Sequence, residues 1–375
     1  MDSAAILTER STINKDYGGY KLDIKKYGFD ADMIKDAANG ATPARVVAVH
    51  RERYDVVCEY GETSAVLKTK EYNMGFEEFP TTGDFVLIDY NPSGASRVVK
   101  TLPRKTYFSR SDAFSARGEQ AVAANFDYVF IMQSMNHDFN EKRMVRYMTL
   151  AWQSGATPVV VLTKSDLADD PDAYIAKAEA TARGIEVYPV SAKTGEGIAA
   201  LGKYFAPGKT SVFLGSSGIG KSTLVNALAG EEIMTTNGIR EDDSKGRHTT
   251  TYRQLVMLKS GAMIIDTPGM RELGMWDVST GLGEAFDDVE QFLGKCKFSD
   301  CRHETEPGCA VKAAIADGLL SPERWANYLE LKSEARFTDA EGKEAYIRSK
   351  EQRFKEIAKW SRKMKNERKN NKYRG

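Results

Sequence analysis

No stretch of this 375-residue chain is apolar for long enough to span a bilayer, and its first residues mix Asp2, Glu9 and Arg10 where a secretory leader needs an apolar core. The expectation is a soluble, cytoplasmic protein with no membrane partner. Net charge is also missing: 53 Lys/Arg meet 53 Asp/Glu. That balance hides an asymmetry, because residues 343–375 hold 13 Lys/Arg against 4 Asp/Glu and make a candidate contact for a polyanion. Cysteine is scarce, with four in the chain. Cys58 stands alone in a strand-like run and reads as a buried apolar residue. The other three crowd together with a histidine, which in a reducing compartment argues for metal before disulfide. At this length one ordinary core does not suffice, and two or three domains are expected.

Residues 1–39 are polar with scattered aromatics and offer at most a short helix near Asp30 to Ala38. From Ala41 the texture changes to short β-rich runs, Ala44–Val49, Asp55–Tyr60, Ser64–Lys68, Asp84–Asp89 and Ser96–Lys100, with turns at Gly61-Glu62 and Asn91-Pro-Ser-Gly94. Five short strands in so little chain predict a small barrel of the OB type, which either binds RNA or serves only as structure. Pro103 to Arg110 reads as a basic linker. Beyond Asn125, buried strands alternate with helices, the mark of an α/β domain with a parallel sheet. Strands are expected at Asp127–Met132, Pro158–Leu162, Ile185–Val190, Ser211–Leu214 and Ala262–Ile265, and helices at Glu141–Gln153 and Asp172–Arg183.

The run Gly215-Ser-Ser-Gly-Ile-Gly-Lys-Ser222, between an apolar strand and Thr223-Leu-Val-Asn-Ala-Leu228, has the spacing of a P-loop. Glycines let successive backbone N–H groups curl around a polyphosphate, and the following helix adds its N-terminal dipole. The expected phosphate contacts are Gly215, Ser216, Ser217, Gly218, Ile219, Gly220, Lys221, Ser222 and Thr223, with Lys221 at the β/γ-phosphates and Ser222 on Mg²⁺. Gly230 is placed to end the helix.

Thr163-Lys-Ser-Asp166 resembles the guanine-reading N-K-x-D element of GTPases, and Ser191-Ala-Lys193 resembles its companion loop. A carboxylate at Asp166 accepts from both N1–H and the 2-amino group of guanine, and adenine would leave it unpaired. Thr163, Lys164, Ser165, Asp166, Ser191, Ala192 and Lys193 are therefore expected at the base. Thr163 stands where Asn is usual; a hydroxyl is not expected to replace the amide's bridge to the P-loop, so modest nucleotide affinity follows. With Asp266-Thr-Pro-Gly269 as the D-x-x-G element, the base-reading motifs precede the P-loop instead of following it. This is the order of a circularly permuted GTPase, and it leaves Asp266 near the domain's C-terminal boundary.

Cys296-x4-Cys301-x-His303-x5-Cys309 supplies three thiolates and an imidazole, the set for a closed, structural Zn²⁺ site; three unrelated buried cysteines are the alternative. Trp325, Tyr328 and Leu331 share the face of one predicted helix, and Phe354, Ile357, Trp360 and Met364 that of another within the basic tail.

Barrel, permuted order, Gly246-Arg-His-Thr-Thr-Thr251, Asp266-Thr-Pro-Gly269, Arg271-Glu-Leu-Gly274 and the cysteine spacing together resemble the RsgA (YjeQ/YloQ-like) family of ribosome small-subunit-dependent GTPases, over about residues 40 to 330. The resemblance implies a late small-subunit assembly factor that binds GTP or GDP and rRNA, is stimulated by the 30S particle and acts as a monomer. It makes Gly246 to Thr251 switch I, with Thr250 the second Mg²⁺ ligand beside Ser222 and Asp266, and Thr249 the fallback. Met270 occupies the position of the water-orienting glutamine of Ras-like enzymes, and a thioether cannot orient water. Of the in-chain groups, His248 is the candidate to position water or line the phosphate path, or it has no catalytic duty. Catalytic candidates are thus His248, Lys221 and Thr250.

The expected fold is multidomain: an N-terminal extension (1–39), an all-β OB-like barrel (40–105), a circularly permuted α/β P-loop GTPase (106–285), a zinc-binding helical domain (286–342) and a basic helical tail (343–375). Two other functions compete with this reading. A small-molecule kinase would need an acceptor pocket and base that no motif supplies. An RNA-binding scaffold with a regulatory nucleotide and negligible turnover is consistent with Met270 and Thr163.

Overall fold

The computed structural model describes residues 21–34, 40–50, 53–67, 79–111, 119–234, 253–266 and 286–336. It divides into two units, residues 1–144 with 154–273 and residues 145–153 with 274–375.

In the first unit, β1 (Thr42–Val49), β2 (Tyr54–Cys58), β3 (Gly61–Val66), β4 (Phe85–Asp89) and β5 (Ser96–Thr101) close a five-stranded barrel in the order β1-β2-β3-β5-β4-β1. Only β3–β5 is parallel, which closes the barrel without an open edge. Alternation does the packing: Ala44, Val46, Val56, Cys58, Val86, Ile88 and Val98 fill the interior. Cys58 is fully buried, as expected. The β2–β3 turn falls at Glu59-Tyr60, two residues before the expected Gly61-Glu62, because Cys58 already pairs with Gly61. The Asn91-Pro-Ser-Gly94 turn is present, with the Asn91 side chain accepting from the Ser93 N–H at 3.0 Å.

The stretch read as a basic linker is ordered structure. Arg104 pairs with the fully buried Asp84 at 2.8 Å, and β6 (Tyr107–Ser111) forms a hairpin with β7 (Glu119–Ala124). Burial pushes the Asp84 carboxyl up, and Arg104 offsets part of that rise. A strand with one charged pair in its approach looks like a linker when only its basic residues are counted.

The α/β sheet runs β8 (Tyr128–Ser134), β9 (Thr157–Thr163), β10 (Val187–Val190), β11 (Thr210–Leu214), β12 (Gln254–Met257) and β13 (Met263–Asp266) in the order β10-β9-β8-β11-β13-β12. All neighbours are parallel except β12–β13. Helices α1 (Glu141–Gln153), α2 (Pro171–Thr181) and α3 (Lys221–Ala229) follow β8, β9 and β11. Strand β12 has one buried residue in four, Leu255, and so lacks the apolar run that announced its neighbours. Phe130 stacks against both Phe213 and Phe205, with ring centroids 5.0 and 5.3 Å apart, inside a core that Leu224, Val225 and Ile264 complete.

Barrel and α/β sheet meet at the Ala48–Gln254 pair. Arg45, in β1, is buried with its guanidinium 4.8 Å from the Phe85 ring centroid, and donates to the backbone carbonyls of Tyr27, Gly83 (3.3 Å) and Asn125 (2.8 Å). Burial lowers its pKa to about 10. Carbonyl dipoles satisfy this guanidinium, which periodicity alone places on an unremarkable strand.

In the second unit, α4 (Asp287–Glu290), α5 (Ala310–Ala316) and α6 (Pro322–Arg336) surround Phe286, Val289, Val311, Leu320, Tyr328 and Leu331. Tyr328 and Leu331 are buried on α6, as the helical spacing predicted. Arg324 pairs with Asp288 at 3.0 Å and lies 4.1 Å from the Phe286 ring centroid. Among the described residues no helix is long and apolar enough to cross a membrane.

Candidate nucleotide site and metal centre

Parallel strands place their C-terminal loops at one edge of the sheet, and register aligns them here: Ser134 of β8 lies beside Thr163 of β9, which lies beside Val190 of β10. The loops that follow carry Asp138, Asp166 and Ser191. Strand β11 lies on the other side of β8 and leads into the P-loop, and β13 beside it ends in Asp266. Crevices of this kind at strand C-termini are where open α/β sheets bind ligands.

The P-loop turns into α3 at Gly220, whose φ of 99° suits a residue without Cβ, and no side chain caps the helix. Its N-terminal N–H groups are left for an anion. Gly230 ends the helix at φ 67°, as expected. Ile219 is buried and anchors the loop from below, while Ser217 and Gly218 are exposed. Ser222 and Thr223 occupy the first turn of α3. Lys221 Nζ lies 2.7 Å from Asp266 Oδ1, both side chains about one-third exposed.

Two of the residues expected at the base, Thr163 and Lys164, reach the same loop. Thr163, buried, donates its hydroxyl proton to the Ile219 carbonyl at 2.7 Å, with the Gln133 carbonyl at 3.2 Å. A hydroxyl therefore makes the bridge to the P-loop that the sequence reading denied it. It reaches because the shorter side chain meets a backbone carbonyl of Ile219 directly. Lys164 adopts a left-handed backbone, φ 62°, and sends Nζ to the Gly218 carbonyl at 2.8 Å. Asp166 accepts from the buried Ser191 hydroxyl at 2.7 Å, which orients its carboxylate. Ser191 meets Asp166 through its side chain, while its backbone N–H donates to the Glu196 carbonyl at 3.0 Å. Ala192 packs on the sheet core, Lys193 is exposed, and the Ser165 hydroxyl is buried without a partner among the described residues.

Sequence reasoning missed Asp138. Its carboxylate accepts from the Ser216 hydroxyl and from Arg143 at 3.0 Å. Burial raises its pKa, but the Ser216 and Arg143 contacts outweigh this and hold it below the ordinary value. The available signal was positional: a polar turn, Asn136-His-Asp138, at the end of an apolar strand that neighbours the P-loop strand. His248, Thr249, Thr250, Met270 and Arg271 to Trp276 lie outside the described residues.

A cavity of about 540 Å³ opens elsewhere, lined by Lys25, Arg45, Lys105, Asp127, Thr157 and Lys209 among others. It sits at the N-terminal ends of β8, β9 and β11, the sheet edge opposite these loops.

In the second unit, the ligand atoms of Cys296, Cys301, His303 and Cys309 all lie within 4.8 Å of one another. His303 Nδ1 is 3.5, 3.7 and 3.4 Å from the three sulfurs in that order, and the Cys296 and Cys309 sulfurs are 4.0 Å apart. A tetrahedral ion bonded at ~2.3 Å to sulfur and ~2.0 Å to nitrogen requires roughly 3.5 Å and 3.8 Å for these separations. A disulfide would require ~2.05 Å. Backbone N–H groups of Ala310 and Lys312 donate to the Cys296 and Cys309 sulfurs at 3.4 and 3.5 Å. His303 takes a left-handed φ of 64° to present Nδ1, with its ring edge against Trp325. These four residues could hold one metal ion.

Residues 101–276 match the RsgA GTPase family. Small ribosomal subunit biogenesis GTPase RsgA 2 of Listeria monocytogenes is 44% identical over 341 residues, covering 90% of this chain and 96% of that one. The chain belongs to the RsgA GTPase family. Among solved structures, YjeQ from Thermotoga maritima aligns with a TM-score of 0.60 at 27% identity, covering 78% of this chain and 98% of that one. YloQ, a circularly permuted GTPase, aligns with a TM-score of 0.58 at 23% identity, covering 80% and 97%, and shares the fold. The strand order puts Thr163 and Ser191 before the P-loop in sequence and at the same edge of the sheet in space.

Proposed function

We propose that this chain hydrolyses GTP while assembling the small ribosomal subunit, gripping rRNA through its barrel, metal module and basic tail, and leaves the particle after hydrolysis. The observation that supports this most is the Thr163–Ile219 hydrogen bond of 2.7 Å, which ties the guanine-reading strand end to the phosphate loop. A purine fixed by Asp166 would then have its phosphates delivered to Gly215 to Thr223.

Lys221 and Asp266 neutralise one another at 2.7 Å, so neither charge stands uncompensated before nucleotide arrives. Lys221 then turns to the β/γ-phosphates. Ser222 and Asp266, with Thr250, would hold Mg²⁺, which when bound neutralises phosphate charge. Met270 leaves intrinsic hydrolysis weak, and His248 or a group lent by the particle orients the water. The metal in the Cys3His cluster is Zn²⁺, structural because its four ligands leave no open position. In our reading the barrel spans 40–105, the GTPase 106–285, the zinc module 286–342 and the basic tail 343–375. Permutation puts Gly269 27 residues before Cys296, so movement of the D-x-x-G segment on γ-phosphate loss is passed towards a rigid module and loosens its RNA contacts.

Three measurements test this. GTP turnover should rise on adding 30S subunits; equal turnover with and without them would leave only a regulatory nucleotide. A non-hydrolysable GTP analogue should retain the protein on 30S particles better than GDP does, and equal retention would sink the gating step. ATP should fail to compete with GTP in wild type, whereas Asp166→Asn should accept a xanthine nucleotide; equal competition by ATP would overturn the guanine assignment.

A further inference from the structure

The P-loop is costly to keep ordered while empty. Gly218 and Gly220 sit at φ 71° and 99°, glycine loses more backbone freedom than any other residue, and α3 has no side-chain cap. Three side-chain ties to residues 215–220 hold it among the described residues. Thr163 and Lys164 grip the carbonyls of Ile219 and Gly218 from the base side. The third tie is to a side chain of the loop itself: the Ser216 hydroxyl donates to Asp138.

Asp138 is itself braced. Arg143 reaches Oδ1 at 3.2 Å and Oδ2 at 3.0 Å. The Asp138 N–H donates to Asn136 Oδ1 at 2.9 Å, and Asn136 also takes the Ser134 hydroxyl at 2.7 Å. Asn140 caps α1 by accepting from the Arg143 N–H at 2.9 Å. Each bond is local, so the clasp from Ser134 to Arg143 forms without any ligand. Its charge is also settled: an unpaired carboxylate beside a polyphosphate would repel it, and Arg143 cancels that charge.

We propose that Asp138 is a positioning residue which, through Ser216, keeps the P-loop in its nucleotide-receiving shape. This rests on the P-loop being the nucleotide site. The tie is made to the loop and not to the γ-phosphate, so it serves GTP and GDP alike and lets one replace the other without reordering the loop.

A double-mutant cycle on the full-length chain tests this, reading equilibrium binding and dissociation of fluorescent GDP and a non-hydrolysable GTP analogue. Ser216→Ala should weaken both nucleotides by the same factor, about tenfold, the usual loss for one hydrogen bond to a charged group. Asp138→Ala should do likewise, and the double variant should be no worse than the weaker single. Ser216→Thr, which keeps the hydroxyl, should restore binding. It also serves where Asp138→Ala, by stranding Arg143, unfolds. Binding unchanged in Ser216→Ala, additive losses, or failure of Ser216→Thr to rescue would each overturn the tether. A wild type that binds no guanine nucleotide would instead sink the site reading beneath it.

Discussion

The sheet-edge site and the Cys3His cluster are both spelled by short motifs, yet their side chains are in opposite conditions. At the sheet edge Lys221, Asp138 and Asp166 already have partners among the described residues: Lys221 with Asp266, Asp138 with Arg143 and Ser216, Asp166 with Ser191. In the cluster, four donor atoms converge chiefly on one another, four of their separations at 3.4 to 4.0 Å and all within 4.8 Å. A site whose ligand comes and goes must be stable in both conditions, so its residues exchange internal partners for external ones. A site with a resident ion need be stable only when filled, because the ion supplies the compensating charge.

That contrast predicts the largest effect at the cluster. Cys301→Ala should lower metal content from one ion per chain to near zero and abolish cooperative unfolding of residues 286–336, since structural Zn²⁺ contributes ~10–16 kcal/mol in small modules. Metal analysis with amide exchange checks it, and unchanged metal content would erase the difference between the two sites.

At the sheet edge, losses should appear in binding rather than in folding. Lys221→Ala should weaken GTP about 100-fold, the cost of one close charge contact, with a thermal midpoint near that of wild type because Asp266 is left partly solvated. A large fall in the midpoint would make the Lys221–Asp266 pair a folding element. Thr163→Val should cost about tenfold in GTP and GDP affinity by removing the bond to Ile219, and Thr163→Asn should bind like wild type. Equal binding by the valine variant would show that the bridge carries nothing.

The smallest effect concerns the support of β10, whose end delivers Ser191. Glu186 accepts from Lys203, Tyr204 and Tyr188, with Lys203 first in weight, and is held at about 2 against an ordinary 4.5. A depressed folded-state value means its stabilisation is complete above pH 4.5 and is lost as pH falls towards 2. Acid unfolding of Glu186→Gln should be shallower in that window, and identical acid curves would remove the contribution.

Much of the site was legible because phosphate and guanine chemistry constrain local spacing. Gly215 to Ser222, Asp166 and Ser191 could be named from short runs, and the strands before them from largely apolar runs of four to six residues. Boundaries moved by a few residues, as at Glu59-Tyr60, where pairing rather than glycine chose the turn. Strand β12, the β6–β7 hairpin and Arg104 were not legible: Gln254–Met257 has little apolar signal, and a basic residue reads the same whether it meets solvent or a buried Asp84.

The sequence by itself determined the local motifs: the P-loop spacing of Gly215 to Ser222, the Thr163-Lys-Ser-Asp166 run, the Cys3His donor set and the permuted order. Each of the first three spans fewer than fifteen positions, a range over which covalent connection alone limits geometry. What only the tertiary structure decided was which distant groups meet. Asp138 lies 78 positions from Ser216, Thr163 lies 56 from Ile219, and Arg45 lies 80 from the Asn125 carbonyl that it holds. Such pairings follow from strand order and register, which set neighbours across a sheet irrespective of distance along the chain. The hydroxyl at Thr163 shows the consequence, since its residue type argued against a bridge and its position beside Ile219 made one.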